Sequence, residues 1–134
     1  MNIHGACHCG YITFEAEVDP ARVAICHCSD CQTLSGAPFR ASVVAEAGAF
    51  KLLSGEPAIY VKTAESGNKR AQAFCPRCGS PIYATAADNP NAPLNIRVGV
   101  VREREELVPK RQIWTSAQQS WVGSVSSLPG VPGQ

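Results

Sequence analysis

Seven cysteines in three tight groups constrain this 134-residue chain more than any other feature of it. They stand as Cys7-His8-Cys9, as Cys26-His27-Cys28-Ser29-Asp30-Cys31, and as Cys75-Pro76-Arg77-Cys78-Gly79. An odd count leaves one thiol over if the rest pair as disulfides. The first group also begins too near Met1 for a signal peptide to precede it. A reducing, cytoplasmic setting is therefore expected, and there clustered cysteines serve metal or redox chemistry.

The run from Cys75 to Gly79 has the shape of a zinc knuckle, a tight turn that aims two thiolates at one ion. A structural zinc takes four such ligands in a tetrahedron. In an extended segment residues i and i+2 point the same way, so Cys7 and Cys9 can supply the other two while His8 faces the opposite side. Cys7, Cys9, Cys75 and Cys78 then make a closed four-thiolate set. Cys26, Cys28 and Cys31 remain, joining an extended pair to a third cysteine at the start of a helix, where backbone amides favour thiolate over thiol. Three protein ligands and a free fourth position are the pattern of a catalytic zinc. The spacing thus predicts two Zn²⁺ ions per chain, with every cysteine used. A second purely structural site, or free redox-active thiols, are the competing readings of the triple. His8 and His27, each between ligands, are expected to pack or to support ligands, and His4 to lie on the surface.

Between the cysteines the pattern is that of strands. Ile12, Phe14, Ala16 and Val18 alternate with polar residues, the period of a half-buried strand. Further strands are expected at residues 22–25, 39–45, 50–53, 58–62, 70–74, 81–85, 95–101 and 110–114, separated by Gly, Pro, Asn and Ser turn signals. One short helix is expected from Ser29, as its cap, to Gly36, a glycine suited to the left-handed position after a helix end. The charged run from Arg102 to Glu106 reads as a solvated turn. The connections are too short for helical crossovers, so the sheets should be antiparallel. The fold class is all-β, with one domain over residues 1–121 and a flexible Ser/Gly/Pro-rich tail over 122–134.

Composition removes other classes of function. Twelve basic residues balance eleven acidic ones at a net charge of +1, without the basic excess of a nucleic-acid binder. No apolar run is long enough to span a membrane. No phosphate loop or dinucleotide fingerprint occurs.

Several segments together resemble one known family, the glutathione-dependent formaldehyde-activating enzymes and centromere protein V. They are G-A-C-H-C-G (Gly5 to Gly10), C-H-C-S-D-C-Q (Cys26 to Gln32), G-A-P-F (Gly36 to Phe39), F-C-P-R-C-G-S-P (Phe74 to Pro81) and I-W-T-S-A-Q-Q-S-W (Ile113 to Trp121). Gln112 departs from the pattern, standing where members often carry His. The resemblance implies a β-tent of stacked antiparallel sheets, a structural zinc on Cys7, Cys9, Cys75 and Cys78, and a catalytic zinc on Cys26, Cys28 and Cys31. It further implies a carbon–sulfur lyase whose partners are a small thiol, glutathione, and an aldehyde, formaldehyde. The carboxylates of glutathione call for cations, and Arg40, Lys62, Arg70, Arg77 and Arg97 are the candidates. Phe39 is a pocket wall or plain core, and Asp30 a ligand-supporting acceptor, a proton relay or a solvated helix residue. Trp114 and Trp121 are expected to pack in the core or between the copies of a homodimer rather than to stack on a ligand. The rival functions are a non-enzymatic zinc-stabilised β module that binds a protein partner, and a thiol redox sensor.

Overall fold

A computed structural model describes residues 1–134. Ten strands lie in chain order as β1 Asn2–Ala6, β2 Thr13–Glu17, β3 Val23–Cys26, β4 Arg40–Ala45, β5 Phe50–Ser54, β6 Ala58–Thr63, β7 Lys69–Phe74, β8 Pro81–Ala86, β9 Leu94–Arg97 and β10 Arg111–Ile113. A single α-helix, α1 (Ser29–Ser35), and short 3-10 turns complete the chain. The strands form a three-stranded sheet, β1-β2-β5, and a seven-stranded sheet, β10-β3-β4-β9-β8-β7-β6. This is the all-β, two-sheet architecture expected.

Side-chain alternation decides how the sheets meet. Ile12, Phe14, Ala16 and Val18 are all buried, together with Ile3 of β1, Val43 of β4, Ile82 of β8 and Ile96 of β9. These residues belong to one core cluster shared by both sheets. Phe50 bridges it, its ring 5.2 Å from that of Phe14 and 5.1 Å from that of Tyr83. Burying each large side chain of this kind contributes about 1.5–3 kcal/mol.

Strand β1 escapes the sequence pattern because only Ile3 in it is a large apolar residue. Its place comes from pairing: Ile3 lies opposite Ala16 and Gly5 opposite Phe14. The Phe14 ring covers Gly5 so closely that a Cβ there would collide with it.

Four expectations need correction. Helix α1 is capped by Cys28 rather than Ser29, the Cys31 N–H donating to Cys28 Sγ at 3.3 Å. Strand β9 stops at Arg97, where a 3-10 turn over Val98–Val100 replaces the expected extension to Val101. Strand β10 runs parallel to β3, because its partner lies far back in the chain rather than across a short turn. Trp114 and Trp121 are both exposed, so of the two packings expected for them the core is excluded. The expected left-handed residue after α1 is present, with Gly36 at φ 66°. The 102–106 run is a turn as read, and its Glu103 accepts from the backbone N–H of His4 and meets the His4 ring, both at 2.8 Å.

Candidate metal centre and cavity

The fold gathers the cysteines into two clusters. Cys7 and Cys9 follow β1, while Cys75 and Cys78 sit on the turn between β7 and β8. The sulfurs of these four lie within 4.8 Å of one another, as do those of Cys26, Cys28 and Cys31. None of the seven is in a disulfide. In the four-cysteine cluster the Cys7–Cys9 and Cys9–Cys75 sulfur separations are 3.6 and 3.8 Å. Four thiolates about 2.3 Å from a zinc ion would stand about 3.8 Å apart along the edges of their tetrahedron. These two edges match a metal ion of that size, and the remaining separations stay within 4.8 Å. Backbone N–H groups support it, Ile12 donating to Cys7 Sγ at 3.2 Å and Arg77 to Cys75 Sγ at 3.4 Å.

Within each cluster the thiols favour the ionisation of some members and oppose that of others. Cys78 is brought down to about 5 by the Ser80 hydroxyl and backbone N–H. Cys9, although the Tyr11 N–H favours its thiolate, is pushed up to about 11 by lost solvation and the three thiols around it. In the triple, burial and then the thiols of Cys28 and Cys26 push Cys31 up to about 12. Cys28 is lowered instead; burial opposes its ionisation, but the Cys31 N–H, the other two thiols and the positive charge of Lys62 outweigh it. A divalent cation is the natural means of ionising all members of either cluster together.

The two clusters differ in what lies beside them. The triple opens on a cavity of about 530 Å³, lined by Cys26, Cys28 and Cys31 but by none of the other four cysteines. The cavity covers the face of the seven-stranded sheet opposite the core. Alternation shows this strand by strand: Arg40, Ser42 and Val44 of β4 face the cavity while Val43 and Ala45 face the core. On β9, Asn95 and Arg97 face it, and Leu94 and Ile96 do not. Register then places the cations. Arg40 stands directly opposite Cys26, and Arg97 opposite Ser42, to whose hydroxyl its Nη1 donates at 2.9 Å. Arg97 also reaches Gln72 Oε1 on β7 at 2.8 Å, and Arg40 reaches the same oxygen at 3.3 Å. The strand between β9 and β7 carries Ala84 in register with Gln72, a side chain small enough to leave that path open.

Four of the five candidate cations, Arg40, Lys62, Arg70 and Arg97, line this cavity. Arg77 does not; its guanidinium lies 3.8 Å over the Tyr11 ring. Arg22 and Arg111 line it as well and were not among the candidates. For Arg111 the available signal was its i, i+2 relation to Ile113, which turns to the same face. Burial, and then the charge of Arg40, hold Arg97 down to about 9.

The remaining side chains fall into place around the triple. Asp30 pairs with Lys62 at 2.7 Å, fixing α1 to β6. His27 is buried and points away from the sulfurs, its Nε2 donating to Gln112 Oε1 at 2.8 Å. Phe39 packs on His27, ring centroids 5.7 Å apart, and does not line the cavity. Trp114 does line it, from a left-handed backbone at φ 56° that costs a bulky residue about 1–3 kcal/mol. Neighbouring hydrogen bonds hold that conformation: Ile113 O accepts from His27 N–H at 3.1 Å and Trp114 O from Ala117 N–H at 3.0 Å.

The site and fold define a two-sheet β protein with two thiol clusters suited to metal ions, one closed and one open to a cationic cavity. A solved structure of a Rhodobacter sphaeroides protein is similar in fold, with a TM-score of 0.62 at 20% identity over 84% of this chain and 99% of that one. Residues 2–117 match the family described as glutathione-dependent formaldehyde-activating enzyme, and the chain belongs to that family. Membership supports an enzymatic function of the glutathione-dependent, formaldehyde-activating type. No helix is long and apolar enough to cross a membrane.

Proposed function

We propose that the protein is a zinc-dependent carbon–sulfur lyase that joins a small thiol to an aldehyde and splits the adduct again. Glutathione and formaldehyde are the pair suggested by the family. Cys7, Cys9, Cys75 and Cys78 are assigned to a structural zinc, and Cys26, Cys28 and Cys31 to the catalytic one. The observation that carries this reading is the position of the triple on a cavity of about 530 Å³, which the four-cysteine cluster does not line. A zinc ion held by three thiolates supplies, when bound, a soft fourth position at which a thiol loses its proton at neutral pH.

The chain's own groups do the rest. No histidine, aspartate or glutamate lines the cavity, so the substrate thiol's proton passes to solvent through the open mouth rather than to a protein base. The thiolate sulfur then attacks the aldehyde carbon, forming the carbon–sulfur bond as the carbonyl π pair moves to oxygen. Lys62, whose charge already acts on Cys28, is the donor available to that developing alkoxide. The alkoxide takes a proton from water to give the hydroxymethyl product, and the reverse sequence breaks the carbon–sulfur bond.

The test is the rate at which formaldehyde and glutathione interconvert with their adduct, followed by NMR exchange. Zinc-loaded protein should accelerate exchange, and Cys28→Ser should abolish the acceleration while keeping its folded spectrum. Acceleration that survives in folded Cys28→Ser would remove the triple from the chemistry.

A further inference from the structure

Six cations line the cavity, and no carboxylate does. Two of them are already neutralised at its edge: Arg22 pairs with Glu46 at 2.8 Å and Lys62 with Asp30 at 2.7 Å. Arg40, Arg70, Arg97 and Arg111 form no ion pair with any acidic side chain. Two of these four are buried, Arg40 at 6% and Arg97 at 8% exposure. Arg40 Nε and Nη2 and Arg97 Nε have no hydrogen-bond partner at all. Both guanidinium groups converge instead on one neutral amide oxygen, that of Gln72. Like charges gathered in a buried place with donors unspent make an anion site, since burying an unpaired charge is otherwise strongly disfavoured. The thiolate triple does not account for them, because three thiolates around a dication leave one net negative charge against four unpaired arginines. Arg70 on β7 and Arg111 on β10 lie towards opposite ends of the sheet, so a single anionic group cannot serve all four.

We infer that the thiol taken by this cavity carries at least two anionic groups besides its sulfur, and no ammonium group. This rests on the thiol–aldehyde reading and narrows it. One anion belongs between Arg40 and Arg97, and a second towards Arg70 or Arg111. An ammonium group, such as that of glutathione, would enter a lining that offers it no carboxylate and would face unpaired guanidinium groups. Glutathione itself then falls outside the class and binds more weakly than a thiol of the same size without that positive charge.

Calorimetric titration of the two-zinc protein at neutral pH tests this with defined probes: mercaptosuccinate, 2-mercaptoethanol, cysteamine, succinate, glutathione and N-acetylglutathione. Mercaptosuccinate should bind roughly tenfold or more tightly than 2-mercaptoethanol, with cysteamine weakest of the thiols, because charge-assisted hydrogen bonds are the strong ones. N-acetylglutathione should bind more tightly than glutathione. Of Arg70→Gln and Arg111→Gln, neither of them a buried position, the one on the side that takes the second anion should weaken mercaptosuccinate while leaving 2-mercaptoethanol unchanged, and no effect from either would overturn the inference. Equal binding of mercaptosuccinate and 2-mercaptoethanol would overturn the inference and leave the thiol–aldehyde reading standing. Succinate binding as tightly as mercaptosuccinate would show that the sulfur contributes nothing, and would overturn the thiol reading together with the inference built on it.

Discussion

Glu103 meets the His4 ring 2.8 Å away and accepts from the His4 backbone at the same distance, tying the turn before β10 to the first strand. Burial opposes ionisation of this carboxyl, but the His4 backbone and ring outweigh it and hold it below the ordinary value of 4.5. A carboxyl depressed on folding contributes stability above its unfolded value, and loses it as pH falls through the folded one. Glu103→Gln should therefore cost about 1 kcal/mol at neutral pH. The difference from the parent should vanish in acid, as read by urea unfolding across the range; a difference independent of pH would contradict this account. Neither residue had a role legible in the sequence, since 99 positions of chain separate the partners and neither carries a local motif. Asp30 was weighed as a ligand support, a proton relay or a solvated helix residue, but its pairing with Lys62 was not legible, being set by where β6 falls against α1. Cys28 differs: its cap on α1 was missed because a thiol is an uncommon N-cap, whereas Ser29 is a common one.

Among the elements, the knuckle between β7 and β8 and the α1 segment were legible because their ligands are near neighbours in sequence. Alternation in β2 was legible for the same reason, the strand announcing its own two faces. What joins elements was not legible. The 113–121 run is pinned to the α1 segment through Gln32, whose Nε2 donates to His27 O at 2.8 Å and Ala117 O at 3.0 Å. Gln119 closes the link on Gln32 Oε1 at 2.8 Å. The parallel pairing of β10 with β3 follows from these contacts and from no pattern within β10 itself. The two cysteine clusters should also respond differently to loss of a ligand. Cys75→Ser removes a buried sulfur from the closed set that joins β1 to the β7–β8 turn, and folding free energy goes with it. Thermal unfolding should fall sharply, or the chain should fail to fold, with zinc content reduced. Cys28→Ser should keep its melting temperature near that of the parent while losing one zinc. The opposite pattern would show the two assignments reversed.

Over the whole molecule, the seven-stranded sheet divides the work between its faces. One face closes the core with the three-stranded sheet; the other collects arginines from β4, β7, β9 and β10 beside three thiols on β3, α1 and the link between them. Spacing alone pointed to the thiols, but only strand order and register could show which cations accompany them, and Arg77 was separated from the rest by that order. The account stands or falls on whether the triple is an open metal site that takes a substrate sulfur. Exchange of cobalt into Cys26, Cys28 and Cys31, followed by titration with glutathione and with mercaptosuccinate, tests this most directly. The sulfur-to-metal charge-transfer absorption should strengthen as a fourth thiolate joins the three, and S-methylglutathione should leave it unchanged. A spectrum indifferent to every thiol would contradict the account.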